Sequence, residues 1–124
     1  MRRVYLAGPP YADEYRRRAE ALLRESGLEP VDPMRQDFRG QTVGHEAEIV
    51  EGDLAEIDSC DAVLASFTAP DEGTAMEAWY AHGRGKPVAA YTGGTPAHPW
   101  TVFVADAVWD SVPVSVEGVK DGAV

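Results

Sequence analysis

The 124-residue chain carries a net charge of −10, with 44% hydrophobic and 26% charged residues, a balance that fits one globular domain spanning 1–124. No apolar run approaches the ~20 residues that cross a bilayer, and the opening "MRRVYLAGPP" does not read as a secretion signal. So acidic a surface disfavours phosphate backbones, and a cytoplasmic protein with no membrane or nucleic-acid partner is expected.

In chain order, "RRVYLAG" reads as a buried strand ending at Gly8-Pro9. Residues 12–26 read as a helix with Tyr15, Ala19, Leu22 and Leu23 inward, the Arg/Glu positions opposite, and Gly27 as its C-cap. "LEPVDP" is a short second strand. Residues 34–43, "MRQDFRGQTV", have no period, and an irregular stretch of that length tends to be functional. A second helix over 44–58 places Ala47, Val50, Leu54 and Ile57 in one stripe. "DAVLASF" is a strand of the fully buried type. A third helix covers 74–83, and "KPVAAYT" is a fourth strand. "WTVFVADAVWDSV" reads as a short helix and then a short strand, and the tail from about 117, "EGVKDGAV", reads as fraying. Cys60 is the only cysteine, which excludes an internal disulfide and leaves core packing as its expected role. Arginine outnumbers lysine nine to two and asparagine is absent, as a GC-rich genome or a salt-adapted proteome would each produce.

Alternation of strand and helix predicts an α/β fold, a doubly wound parallel sheet of four to five strands with helices on both faces. Ligands of such sheets bind outside the carboxyl ends of the strands. Those ends are Gly8-Pro9-Pro10, residues 67–73 and Thr92-Gly93-Gly94.

"APDEGTAMEAWYA", residues 69–81, falls on that edge. Thr74-Ala-Met-Glu77 matches a capping box, in which Glu77 reaches back to the start of its helix. A cap needs no carboxylates upstream, yet Asp71 and Glu72 precede the turn. Crowded like charges raise one another's pKa values, which tilts the segment toward a site. Asp53 gives a separate sign, since it falls at the edge of an apolar stripe, where a carboxylate must be paired or functional. Tyr5 is either a core ring or part of that site. Arg35 and Arg39, in the irregular loop of an acidic protein, are either solvated charges or holders of a polar or anionic ligand. His45, His82 and His98 lack metal-ligand spacing, so no metal is expected. No Walker A, G-x-G-x-x-G or G-x-S-x-G is present.

The ordered set "VYLAGPP", "EGDLAEIDSCDAVLA", "DEGTAMEAWYA" and "GKPVAAY" resembles the nucleoside 2-deoxyribosyltransferase family, including its nucleotide N-glycosidases, through most of residues 4–91. "DPMRQDFRG" resembles a loop of some archaeal and bacterial members. The resemblance implies a flavodoxin-like sheet, a retaining double displacement, no cofactor, and a place in nucleotide salvage. By that similarity Glu77 is the nucleophile toward C1′, Asp71 and Asp53 serve the departing base, and Tyr5 positions the Glu77 carboxylate. The expected substrates are a nucleoside or nucleotide and a free base. Candidate substrate-binding residues are Gly8, Pro9 and Tyr11 in the first loop, Arg35, Phe38 and Arg39 in the second, and Gly73 and Thr74 before Glu77. Tyr11 and Phe38 offer flat faces to a base. Well-studied transferases place an asparagine from a neighbouring subunit near the 5′-hydroxyl, and this chain has none. Relatives that hydrolyse monophosphates use serines and an arginine around the 5′-phosphate; "GPPY" has no serine, and only Arg35 and Arg39 could substitute.

Base exchange is favoured over hydrolysis by an N-glycosidase using the same Glu77. A non-catalytic nucleotide sensor and a receiver-like signalling module are further alternatives. Against the receiver, Gly8-Pro9 and Ser66-Phe67 stand where it needs acids, although Lys86-Pro87 fits its lysine-proline step. Trp79, Trp100, Phe103 and Trp109 are many large rings for so small a domain and predict a homo-oligomer.

Overall fold

The computed structural model describes residues 2–122, except for the side chain of Arg35. Five strands, β1 (Arg3–Ala7), β2 (Glu29–Val31), β3 (Ala62–Ser66), β4 (Val88–Tyr91) and β5 (Ala107–Trp109), form one sheet in the order β2-β1-β3-β4-β5. Every pairing is parallel, with Tyr5 opposite Val31 and Val63, and Val63 opposite Val88. This is the flavodoxin-like order, with its switch point between β1 and β3.

The helices are α1 (Asp13–Glu25), α2 (Glu46–Asp58), α3 (Glu72–Gly83), α4 (Pro99–Val104) and α5 (Val112–Lys120). The two-residue period of β1 divides the core. Val4 and Leu6 face Ala19 and Leu23 of α1 and Val116 and Val119 of α5. Tyr5 and Ala7 face Ile57 of α2 and Ala78 and Ala81 of α3. β3 is buried along its whole length, which is why it reads as an unbroken apolar run.

The structure departs from the sequence reading in several places. The tail does not fray at 117, because α5 continues to Lys120 with Val112, Val116 and Val119 buried at i, i+4, i+7. Ser111 caps it, its Oγ accepting from the Val114 amide. Gly118, which looks like a helix breaker, lies under the Trp109 ring, and a Cβ there would come within 2.2 Å of it. Trp109 therefore packs on the core and is removed from the predicted interface rings. The inward face of α2 runs through Ile49, Asp53 and Ile57, while Val50 is 54% exposed. Asp53 thus looks inward, and Ala47 and Val50 do not.

Candidate active site

The site lies at the carboxyl edge of the sheet, beside the switch point. There β1 runs into Gly8-Pro9-Pro10, and β3 runs into the loop before α3. A cavity of about 450 Å³ opens between them, with the 33–42 segment as its other wall. Gly8, Phe38, Arg39, Asp53, Asp71, Gly73 and Glu77, each singled out from the sequence, line it together.

Tyr5 is fully buried on β1, on the sheet face that meets α3, and its hydroxyl donates to Glu77 Oε2. Burial, then the nearby Glu77 and Asp53 carboxylates, push the Tyr5 hydroxyl well above the ordinary phenol range, so it stays a donor. Burial is also the main reason that the Glu77 carboxyl is pushed up to about 8. Asp53 and Asp71 add to that rise, while the Tyr5 hydrogen bond and the Arg16 guanidinium oppose it. Asp53 is raised to about 6, by burial first and then by Glu56, again with Arg16 in opposition. Two carboxyls with separated, elevated pKa values in one cavity suit an acid–base or nucleophilic role.

Glu77 does not close a capping box. The N-cap of α3 is Asp71, whose Oδ2 accepts from the Thr74 amide at 3.0 Å and the Thr74 hydroxyl at 2.7 Å. The helix therefore starts two residues earlier than its apolar pattern suggests. Thr74 is fully buried under that cap and does not line the cavity. Asp71 still lines it, with one oxygen engaged.

The other predicted residues are distributed less evenly. Pro9 is fully buried, and Pro10 takes its place in the cavity wall. Tyr11 is 70% exposed and outside the lining, so Phe38, tilted on His45 at 5.0 Å, is the aromatic wall that the structure provides. Arg39 is engaged by Asp37 and, at 2.8 Å, by Asp13, and it donates to the Pro10 carbonyl at 3.1 Å. It straps the second loop to the first. Arg35 closes a 3-10 turn over Pro33–Arg35, and its side chain lies outside the described residues.

Arg16 was missed by sequence reasoning. It is 2% exposed and donates to the carbonyls of Pro9, at 2.8 Å, and Gly8, and it lines the cavity. The signal was its spacing, since 16, 19 and 23 share one helix face with the buried Ala19 and Leu23. Ile49, Met34 and Gln36 also line the cavity and carried no signal. Among the described residues no His/Cys/Asp/Glu group could hold a metal ion. Lys86 precedes β4, at the opposite edge of the sheet, where it donates to the carbonyls of Cys60 and Asp58. A receiver's lysine would belong at the carboxyl edge, so that alternative fails.

The fold is shared with many solved structures, among them these three. A 2-deoxyribosyltransferase from Bacillus psychrosaccharolyticus superimposes with a TM-score of 0.76 at 21% identity, covering 96% of this chain and 90% of that one. A conserved protein from Enterococcus faecalis gives 0.81 at 19%, covering 98% and 99%. A CMP N-glycosidase from Clostridium botulinum gives 0.68 at 17%, covering 95% and 98%. No curated protein matches the chain in sequence. The profile of the nucleoside 2-deoxyribosyltransferase family matches residues 4–111. That match reaches all five strands and takes in the whole cavity lining, and the chain belongs to the nucleoside 2-deoxyribosyltransferase family.

Proposed function

We propose that the protein is a nucleoside 2-deoxyribosyltransferase that exchanges the base of a 2′-deoxyribonucleoside through a glycosyl-Glu77 intermediate. The observation that carries this reading is the Tyr5–Glu77 hydrogen bond on the wall of a cavity shared with two further carboxyls. In the first half-reaction a Glu77 carboxylate oxygen bonds to C1′ as the C1′–N bond breaks. The departing base takes its electron pair and a proton, which Asp53 supplies from α2. In the second half-reaction a new base attacks C1′ on the same face, returns its proton to Asp53, and frees Glu77. The net result is retention, as in other double displacements on sugars. Tyr5 holds one Glu77 oxygen, which leaves the other for C1′.

Phe38 supports a flat heterocycle as the acceptor, because a ring on that face gains stacking that water cannot. The described cations of the cavity also favour an uncharged donor. Arg39 is engaged by two aspartates, and Arg16 by two carbonyls and Asp32. With deoxyinosine as donor and excess adenine, new deoxyadenosine is expected to form faster than free deoxyribose appears. Dominant sugar release whatever base is added, or cleavage of 5′-monophosphates alone, would establish the N-glycosidase instead.

The enzyme is further proposed to work in the cytoplasm as a homo-oligomer. Trp79 of α3 and Trp100 and Phe103 of α4 are exposed side by side, with Trp79 and Trp100 5.8 Å apart and His82 bridging Trp79 and Phe103. Aromatic residues concentrate in interface cores. Sedimentation at micromolar concentration is expected to give at least a dimer, and Trp100→Glu to shift it toward monomer. A wild-type protein that sediments only as monomer contradicts this.

A further inference from the structure

We propose that Arg16 is a positioning residue of this site: its guanidinium fixes the Gly8–Pro9 wall and sets the charge balance of the Glu77–Asp53 pair. The inference rests on the assignment of Glu77 above. Arg16 is the buried cation of the described cavity lining, against three carboxyls, Asp53, Asp71 and Glu77. Its Nη1 and Nη2 donate to the Pro9 and Gly8 carbonyls. Its Nε lies 3.5 Å from Asp32 Oδ1 and has no hydrogen-bond partner. Tying a loop to a helix needs donors but no charge, and a buried charge is costly unless its surroundings use it. Here the nearest counter-charge is Asp32, outside the cavity lining, and Asp53, Asp71 and Glu77 line the cavity with Arg16. Glu77 is faced by Tyr5 from β1, Arg16 and Tyr15 from α1, Asp53 from α2, and Asp71 from the start of its own helix. Asp53 is faced in addition by Glu56. Burial and the acids push both carboxyls up, and Arg16 is the arginine that opposes the rise in each.

Positioning and charge separate in the variants. Lys at 16 keeps the charge but cannot grip two carbonyls as a planar fork does. Gln keeps a donor and loses the charge. The experiment measures base release from deoxyinosine, with adenine as acceptor, from about pH 5 to about pH 9. In Arg16→Gln the whole pH profile is expected to move upward by about half a unit or more. In Arg16→Lys it stays in place while KM rises severalfold. Asp32→Asn removes the counter-charge and moves the profile downward, which keeps the test decisive if Arg16→Gln does not fold. A profile that superimposes on wild type in both Arg16→Gln and Asp32→Asn, or one that moves as far in Arg16→Lys as in Arg16→Gln, overturns the proposal. If the wild-type enzyme releases no base, or Glu77→Gln still does, it is the functional reading that fails.

Discussion

Glu77→Gln is expected to lower base exchange by ~10³- to 10⁵-fold and, at neutral and alkaline pH, to make the protein more stable. The first effect is the loss of the attacking carboxylate. Gln is nearly isosteric and can still accept from Tyr5, so the fold and the cavity persist. The second effect follows from the environment of Glu77. Burial raises its pKa from 4.5 to about 8, so the folded protein disfavours the ionised form. Relative to a neutral residue, Glu77 therefore costs nothing below about pH 4.5. Its cost grows as pH rises from there and levels off above about 8. Because its side chain is partly exposed to the cavity, the cost at the plateau is on the order of 1–3 kcal/mol. Thermal melts of both proteins should coincide at low pH and diverge across that window, the variant melting higher. A capping Glu would give the opposite pattern, with lower stability at every pH and near-normal turnover.

Asp53→Asn is expected to slow donors with poor leaving bases by ~10²- to 10⁴-fold and activated donors far less, because a good leaving base needs no proton. It should also change the shape of the pH profile. The productive form has Glu77 ionised and Asp53 protonated, although Glu77 titrates near 8 and Asp53 near 6. Near pH 7 that form is on the order of one molecule in a hundred. Its population still describes a bell, rising up to about pH 6 and falling above about 8. Asn cannot lose a proton, so the falling limb should vanish and turnover should climb with Glu77 ionisation to a plateau. Equal slowing of both donor types, with the bell intact, would mean that Asp53 only binds substrate or supports the fold.

The parts of the molecule that were legible from sequence are those that one physical pattern controls. β3 is an apolar run because both its faces are covered, and the α/β alternation leads directly to a parallel sheet and its carboxyl-edge cleft. Glu77 stood out because two acids crowd it. The misreadings came where one residue serves two demands. Gly118 sits in a helix to make room for Trp109, so the helix looked like a loose tail. Arg16 is a charge on a buried face, and by residue type alone it is indistinguishable from its exposed neighbours Arg17 and Arg18. Asp53 faces inward because α2 turns Ile57 to the core and Ile49 to the cavity, rather than Val50. Tyr11 and Phe38 are equally plausible as flat walls, and only the path of each loop puts Phe38 against the cavity.

The proposed mechanism turns on a covalent bond between C1′ and Glu77. It is tested most directly by mixing the enzyme with deoxyinosine in the absence of an acceptor base, quenching with acid, and mapping the peptides by mass spectrometry. The expected result is the mass of one deoxyribosyl group on the peptide that carries Glu77, removed by added adenine with formation of deoxyadenosine, and absent in Glu77→Gln. A wild-type enzyme that exchanges bases at full rate with that peptide unmodified, or with the sugar on another residue, would contradict it.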